Sequence, residues 1–148
     1  MRTKNVKPFT YGSLYKEDLP DGKIIPLTAG NLIDFTIAGP YQNTRPDIAA
    51  NSITVHKSGV YQITADVSVI LEDEQSVMFN INRRHDGSDP LIGSTFDANG
   101  ISTITGINVQ AYLYAGEAIG IFIADLYAPR GRLPRYNRAG LTVYLLEY

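Results

Sequence analysis

The sequence predicts an all-β fold, a jelly-roll sandwich of two packed antiparallel sheets. Apolar and polar residues alternate along several short segments, and clusters of Gly, Pro, Asn and Asp separate these segments. No window of eleven or more residues has the apolar period of a helix. The main alternative is an immunoglobulin-type sandwich, which the chain does not favour because it has neither tryptophan nor a cysteine pair.

The chain divides into an N-terminal arm and one domain. Residues 1–23 contain two prolines and two glycines that interrupt regular structure, and they are predicted to form an extended arm with at most one short strand. Residues 24–148 are predicted to form the jelly-roll domain. Its first part, residues 23–37, gives two short β-rich runs around a turn at residues 29–31, and residues 38–47 are predicted as a loop.

The clearest strand lies in the segment GVYQITADVSVIL. Tyr61, Ile63, Ala65, Val67 and Val69 alternate there with polar residues, which is typical of a half-buried antiparallel strand. The later strands are predicted at residues 76–84, 91–96, 101–114, 118–126 and 141–148. A thirteen-residue loop, APRGRLPRYNRAG (128–140), is predicted before the last strand.

Two of these strands are apolar on both faces. In the strand 118–126, isoleucines occupy one face and Ala118, Phe122, Ala124 and Leu126 the other. The last strand likewise carries Tyr144 and Leu146 opposite its core-facing leucines and valine. An exposed apolar face usually marks a contact site, so the pattern predicts an oligomer. The alternative is that the N-terminal arm of the same chain covers this face.

Composition limits the partners. The formal net charge is −2 over 148 residues, so no field of the whole protein attracts nucleic acid or acidic membrane, and no nucleic-acid partner is expected. No run of 18 apolar residues is present, so no membrane insertion is expected. The basic N-terminus lacks a following apolar stretch, so a signal peptide is not expected.

Three segments resemble the C1q/tumour-necrosis-factor-like jelly-roll superfamily: ITVHKSGVYQITADVSV, VQAYLYAGEAIGIFI and AGLTVYLLEY. They are similar to the strand after a Gly-x-Tyr turn, the Ala-Gly-acid turn with its apolar strand, and the terminal strand of that superfamily; DFTI lies where its early strand would be. The chain looks closest to the bacterial heads that cap collagen-like spore-surface (exosporium) glycoproteins. It departs from them in having no Gly-x-y stretch, an arm without a counterpart, and a longer, more basic loop.

The resemblance implies a compact homotrimer with the aromatic-bearing strands around a threefold axis. The residues assigned to that interface are Tyr112, Tyr114, Phe122, Ala124, Leu126, Tyr144 and Leu146. The second apolar face of strand 118–126 would then be covered by neighbouring copies.

No residues form a recognisable catalytic motif. His85, Asp86 and Ser88 are sequence neighbours without a Gly-x-Ser-x-Gly elbow, so they are predicted to form a polar turn. The acidic residues 72–74 are predicted to form a solvated turn, with calcium binding there or at Asp86 and Asp89 as the alternative. The sequence therefore predicts no enzyme, no cofactor and no metal.

The basic loop is the candidate ligand site. Four arginines, with a tyrosine among them, suit the carboxylates, sulfates and phosphates of an anionic ligand. The candidate residues are Arg130, Arg132, Arg135, Arg138 and Tyr136. The alternative is that these arginines pair with acidic residues of a neighbouring subunit, for example in the 72–74 turn.

Two functions are compatible with these observations. The first is a non-enzymatic, trimeric structural or adhesive head on the surface of a spore, cell or virion. The absence of an expected signal peptide fits a spore or virion surface, or the cytoplasm before assembly. The second is a soluble recognition protein that binds an anionic glycan or a protein receptor through the arginine-rich loop.

Overall fold

A computed structural model describes residues 9–17 and 25–147, which contain eleven β-strands. In chain order the strands are β1 (Tyr11–Lys16), β2 (Ile25–Pro26), β3 (Ile37–Ala38), β4 (Thr44–Asp47), β5 (Ser52–Val55), β6 (Gly59–Ile70), β7 (Ser76–Asn82), β8 (Phe96–Asn99), β9 (Thr103–Leu113), β10 (Ala118–Tyr127) and β11 (Arg135–Glu147). The described residues contain no helix.

The strands form two sheets in which every pair is antiparallel. The first sheet has the order β3-β1-β11-β6-β9, with β2 paired to the start of β11, and the second sheet has the order β4-β5-β10-β7-β8. Strands that are distant in the sequence lie side by side, as in a jelly roll. The predicted fold class is confirmed.

The core lies between the two sheets and is built from alternate residues of each strand. On β6 the predicted inward residues Tyr61, Ile63, Ala65, Val67 and Val69 are all buried. They meet side chains of the second sheet such as Phe79 and Ile121 in one cluster. One face of each sheet is thereby removed from water, which is the main stabilising contribution in a sandwich.

The N-terminal arm contributes a strand to the first sheet. Tyr11–Lys16 of the predicted arm form β1, which pairs along six residues with β11 and also with β3. Residues 1–8 and 18–23 of the predicted arm lie outside the described residues. Residues 11–16 of the predicted arm are therefore an interior strand of the first sheet and not a separate segment.

Three predicted boundaries are wrong. The predicted loop 38–47 ends before Thr44, where β4 begins and pairs with β5. The predicted strand at residues 91–96 is irregular until Phe96, where β8 begins. The predicted loop 128–140 ends at Pro134, because β11 begins at Arg135 and pairs there with Ile70 of β6. A Gly- and Pro-rich composition predicted the loop correctly only as far as residue 134, since pairing with a distant strand decides the rest.

Candidate functional site

The seven residues assigned to a trimer interface fall on both sheets. Tyr112, Tyr144 and Leu146 belong to β9 and β11 of the first sheet, and Tyr114 follows β9 directly. Phe122, Ala124 and Leu126 belong to β10 of the second sheet. Because the two sheets pack face to face, these groups cannot form one surface.

The first group forms an exposed surface at one end of the first sheet. We call this surface the aromatic patch; its members are Phe9, Tyr112, Tyr114, Tyr144 and Leu146, and all five side chains are exposed. The rings of Tyr112 and Tyr114 lie 4.9 Å apart edge to face, and those of Phe9 and Tyr144 lie 6.5 Å apart. Phe9 is not among the residues predicted for the interface. The spacing of the aromatic residues Phe9, Tyr11 and Tyr15 at odd positions is nevertheless a strand signal that places them on one face.

An uncharged polar network borders the aromatic patch on the same face. Gln62 and Gln110 are paired across β6 and β9, and Gln110 Nε2 donates to Gln62 Oε1 at 3.2 Å. Thr64 Oγ1 donates to Asn108 Oδ1 at 3.1 Å, and Gln62 Nε2 donates to the same oxygen. The face therefore passes from aromatic rings to amides without a charged side chain.

A carboxyl group lies further along this face. Asp66 stands between two glycines on the flanking strands, Gly106 and Gly140. Burial raises the pKa of Asp66, and the charge of Arg138 opposes that effect. Arg138, which was predicted to lie in a ligand-binding loop, thus lies on β11 of the first sheet, near the Asp66 carboxylate of the same chain.

The prediction that Phe122 is exposed on a single chain is wrong. Its side chain is only 8% exposed, because Gly87 of the turn after β7 lies against the ring. Residues 30–33 also continue the sheet along β10, where Ile33 N donates to Ile121 O at 2.8 Å and Ile123 N to Asn31 O at 2.9 Å. That pairing brings the Leu32 side chain over Gly120. The second face of β10 is therefore covered at this point by Leu32 and the Gly87 turn of the same chain, and neither belongs to the predicted arm.

The predicted orientation of Leu126 is wrong as well. A β-bulge between Ile123 and Asp125 adds Ala124 to β10 without a partner on β7. A single extra residue reverses the faces of all residues after it. Leu126 consequently pairs with Val77 and packs against the core, whereas Asp125 and Tyr127 are exposed.

Two of the predicted ligand-binding arginines are paired with acidic residues of the same chain. Arg132 Nη1 lies 2.8 Å from Glu72 Oε1, and Arg130 Nη2 lies 3.9 Å from Glu74 Oε2. The alternative considered from the sequence, pairing with the 72–74 turn, occurs here within one chain. Arg135 is half-buried on β11 and lines a shallow cleft with Arg132 and Glu72.

Tyr136 is a core residue and not a surface ligand site. It is 2% exposed, and burial raises its pKa to about 12. Its hydroxyl oxygen accepts a hydrogen bond from Asp34 N at 3.2 Å, and its ring lies 5.5 Å from Nζ of Lys16. Lys16 Nζ also lies 3.2 Å from Asp34 Oδ2, so a buried cation, a carboxylate and a phenol meet at the start of β11.

The polar turn at His85 is held by hydrogen bonds between its own residues. Asp86 Oδ1 accepts a hydrogen bond from Ser88 N at 3.0 Å. Hydrogen bonds from Ser88 lower the pKa of Asp86.

Over residues 9–17 and 25–147, no three His, Asp or Glu side chains are grouped as metal ligands would be. No helix in that part of the chain is long and apolar enough to cross a membrane.

Comparison with known proteins gives matches in structure only. No protein-family model matches the chain, and no curated protein matches it in sequence. The globular domain of the zebrafish complement 1qA protein aligns with a TM-score of 0.66 at 14% identity, covering 94% of this chain and 98% of that one. Eiger TNF from S. frugiperda aligns with a TM-score of 0.67 at 12% identity, covering 95% and 94%.

Murine APRIL, solved at pH 5.0, also aligns, with a TM-score of 0.56 at 10% identity, covering 92% of this chain and 99% of that one. The similarity spans nearly the whole length in all three cases, but the sequence identity is low. It therefore establishes the architecture and not a shared activity. The chain has the jelly-roll fold of the C1q and tumour-necrosis-factor-like domains.

Proposed function

We propose that this chain forms a homotrimer through the aromatic patch, and that the trimer is a non-enzymatic structural or adhesive head on the surface of a spore, cell or virion. The observation that carries the proposal is the patch itself, where five large apolar side chains lie exposed at one end of the first sheet. Burial of such a side chain contributes roughly 1.5–3 kcal/mol, so a patch of this size supports stable association.

The chemistry of the face favours a second and third copy of the same chain as the occupant. The patch carries no charged side chain, and aromatic rings pack well against other aromatic rings. The neighbouring Gln62, Asn108 and Gln110 amides each have donor and acceptor atoms, so copies related by symmetry can form hydrogen bonds at the rim. A homotrimer is also what the resemblance implies.

A recognition role through the arginine-rich loop has less support. Arg130 and Arg132 are paired with Glu74 and Glu72, and Tyr136 is buried. An anionic ligand would have to compete with these two carboxylates of the same chain for the arginines.

The experiment that tests the proposal is the solution mass of the wild type, Tyr112→Asp and Tyr127→Asp, measured by light scattering after size exclusion. The two tyrosines are 47% and 58% exposed, but only Tyr112 belongs to the patch, so Tyr127→Asp is a matched control. We expect about three times the 16.3 kDa chain mass for the wild type and the control, and dissociation for Tyr112→Asp. A monomeric wild type, or equal masses for both variants, would contradict the proposal.

A further inference from the structure

A cleft of about 400 Å³ lies on the second sheet, and Arg83 of its lining donates a hydrogen bond from Nη2 to the backbone oxygen of Tyr112, a residue of the aromatic patch, at 3.2 Å. It opens between the turn after β7 and the chain on either side of β5. We call it the Arg84 cleft; the side chains that matter below are Leu32, Ala50, Ser52, Arg84, His85 and Ala118. Its size lies within the range of sites for small ligands.

The turn that forms one wall of the Arg84 cleft is held by buried hydrogen bonds. Asn82 is 1% exposed, and its Oδ1 accepts hydrogen bonds from Arg84 N at 3.0 Å and Asp89 N at 3.2 Å. Arg83 ties the same turn to Asp89 at 3.4 Å and to Glu117 at 3.2 Å. The exposed side chains of the turn therefore start from a fixed backbone, which lowers the cost of ordering them on a ligand.

The cleft contains a cation that is held in no ion pair. Arg84 forms none with the residues that the structure describes, whereas Arg83, Arg130 and Arg132 each do, although the charge of Arg84 and the Asp86 carboxylate of the same cleft attract each other. The Ser52 hydroxyl, in the same lining, makes no hydrogen bond to any described residue. A guanidinium is suited to bind a carboxylate through two parallel hydrogen bonds, and a hydroxyl both donates and accepts.

The remaining walls add two complementary features. Asp86 is ionised at neutral pH, as aspartates ordinarily are, and hydrogen bonds from Ser88 lower its pKa further; its carboxylate can accept hydrogen bonds from ligand hydroxyls. Leu32, Ala50 and Ala118 supply an apolar wall in the same lining. The cleft thus offers a site for an anion, acceptors for hydroxyls and a surface for C–H groups.

We propose that the Arg84 cleft binds a sugar that carries a carboxylate. Arg84 and His85 hold the carboxylate, Ser52 and Asp86 hold ring hydroxyls, and the apolar wall packs against the C–H face of the ring. All of these residues belong to one chain. The site therefore does not depend on the trimer proposed above.

The test is a titration of the ¹⁵N-labelled full chain with glucuronate and with glucose, which has the same ring without the carboxylate. Glucuronate should shift the amide signals of residues 50–52, 83–87 and 118–120, and glucose should bind at least about tenfold more weakly. Arg84→Gln should weaken glucuronate binding by about tenfold or more, whereas the control Arg130→Gln, which changes an exposed arginine elsewhere, should leave it unchanged.

Three results would overturn the proposal: no shifts at tens of millimolar glucuronate, equal affinity in Arg84→Gln, or shifts of the same signals by acetate or inorganic phosphate at equal affinity. The last result would identify a general anion site without recognition of the sugar ring. Light scattering on the same samples separates the two proposals. A monomer that binds glucuronate contradicts only the trimer, and a trimer that does not bind contradicts only the cleft.

Discussion

Gly87 and Phe122 are in direct contact, because the α-carbon of Gly87 lies over the aromatic ring and leaves no room for a β-carbon. Gly87 also has a φ of +81°, a conformation that other residues adopt with strain. This contact closes the second face of β10 and forms the back of the turn that carries Arg84. The stability of the sheet and the shape of the cleft therefore depend on the same glycine.

Gly87→Ala should lower the free energy of unfolding by about 2–4 kcal/mol, because it combines backbone strain with a clash against Phe122. Gly116→Ala is the control, since Gly116 has a φ of +93° but no atom within 4 Å of the position of a β-carbon. That variant should lose only about 1 kcal/mol. Urea denaturation at one protein concentration measures both values, and equal losses would show that the ring does not resist the methyl group.

Leu126→Ala and Leu146→Ala should act on different equilibria. Leu126 packs against the core, so its truncation should lower the stability of the folded chain by about 2–3 kcal/mol at every protein concentration. Leu146 belongs to the aromatic patch, so its truncation should weaken association, and the loss should grow as the protein is diluted. Thermal unfolding over a range of concentrations distinguishes the two, and a concentration-dependent loss in Leu126→Ala would be incompatible with the bulge at Ala124.

The ion pair between Lys16 and Asp34 should be asymmetric in its energetics. The Lys16 side chain is 1% exposed and that of Asp34 is 56% exposed, with Nζ and Oδ2 separated by 3.2 Å. Asp34→Asn leaves a buried cation without its carboxylate and should cost about 2–3 kcal/mol. Lys16→Met leaves only a solvated carboxylate and should change stability by less than about 1 kcal/mol. Equal losses in urea denaturation would argue against this difference.

Alkaline pH should destabilise the fold over a defined range. Burial raises the pKa of Tyr61 and of Tyr136 to about 12, above the value of about 10 for an exposed tyrosine. Between pH 10 and 12 the unfolded chain loses these protons while the folded chain keeps them, so the contribution of the two tyrosines to the free energy of unfolding should be constant below about pH 10 and fall above it. Tyr136→Phe should make this fall shallower by about half, and the exposed control Tyr127→Phe should not. A fall in stability already at neutral pH would contradict this assignment.

The sequence predicted the features that depend on neighbouring residues. The alternation from Tyr61 to Val69 identified β6 and its buried face, because period two along one strand needs no knowledge of its partner. The turns and the two-layer architecture followed from the same local signals. Exposure of Tyr144 and Leu146 was also inferred from their strand alone, whereas Tyr112 was assigned to the interface through the resemblance.

The features that failed depend on distant parts of the chain. Phe122 is buried by a turn 35 residues earlier in the sequence, and nothing in its own strand indicates that contact. Ala124 is bulged because β7 and β10 change register, which a single strand does not reveal. Tyr136 lies in an Arg-, Gly- and Pro-rich stretch, yet its pairing with Val69 makes it part of the core. In each case a tertiary contact overrides a local pattern.

The pairing of β1 with β11 has a practical consequence for how the protein is handled. Leu145 N donates to Thr10 O at 2.9 Å and Phe9 packs on Tyr144, so residues 9–10 and 144–145 lie together at the pole that carries the aromatic patch. An affinity tag or fluorescent fusion joined directly to residue 9 or to residue 147 would crowd the surface whose self-association is being measured. The exposed turn at Gly131 lies at the other pole, beside Glu72, and is the better insertion point for a reporter.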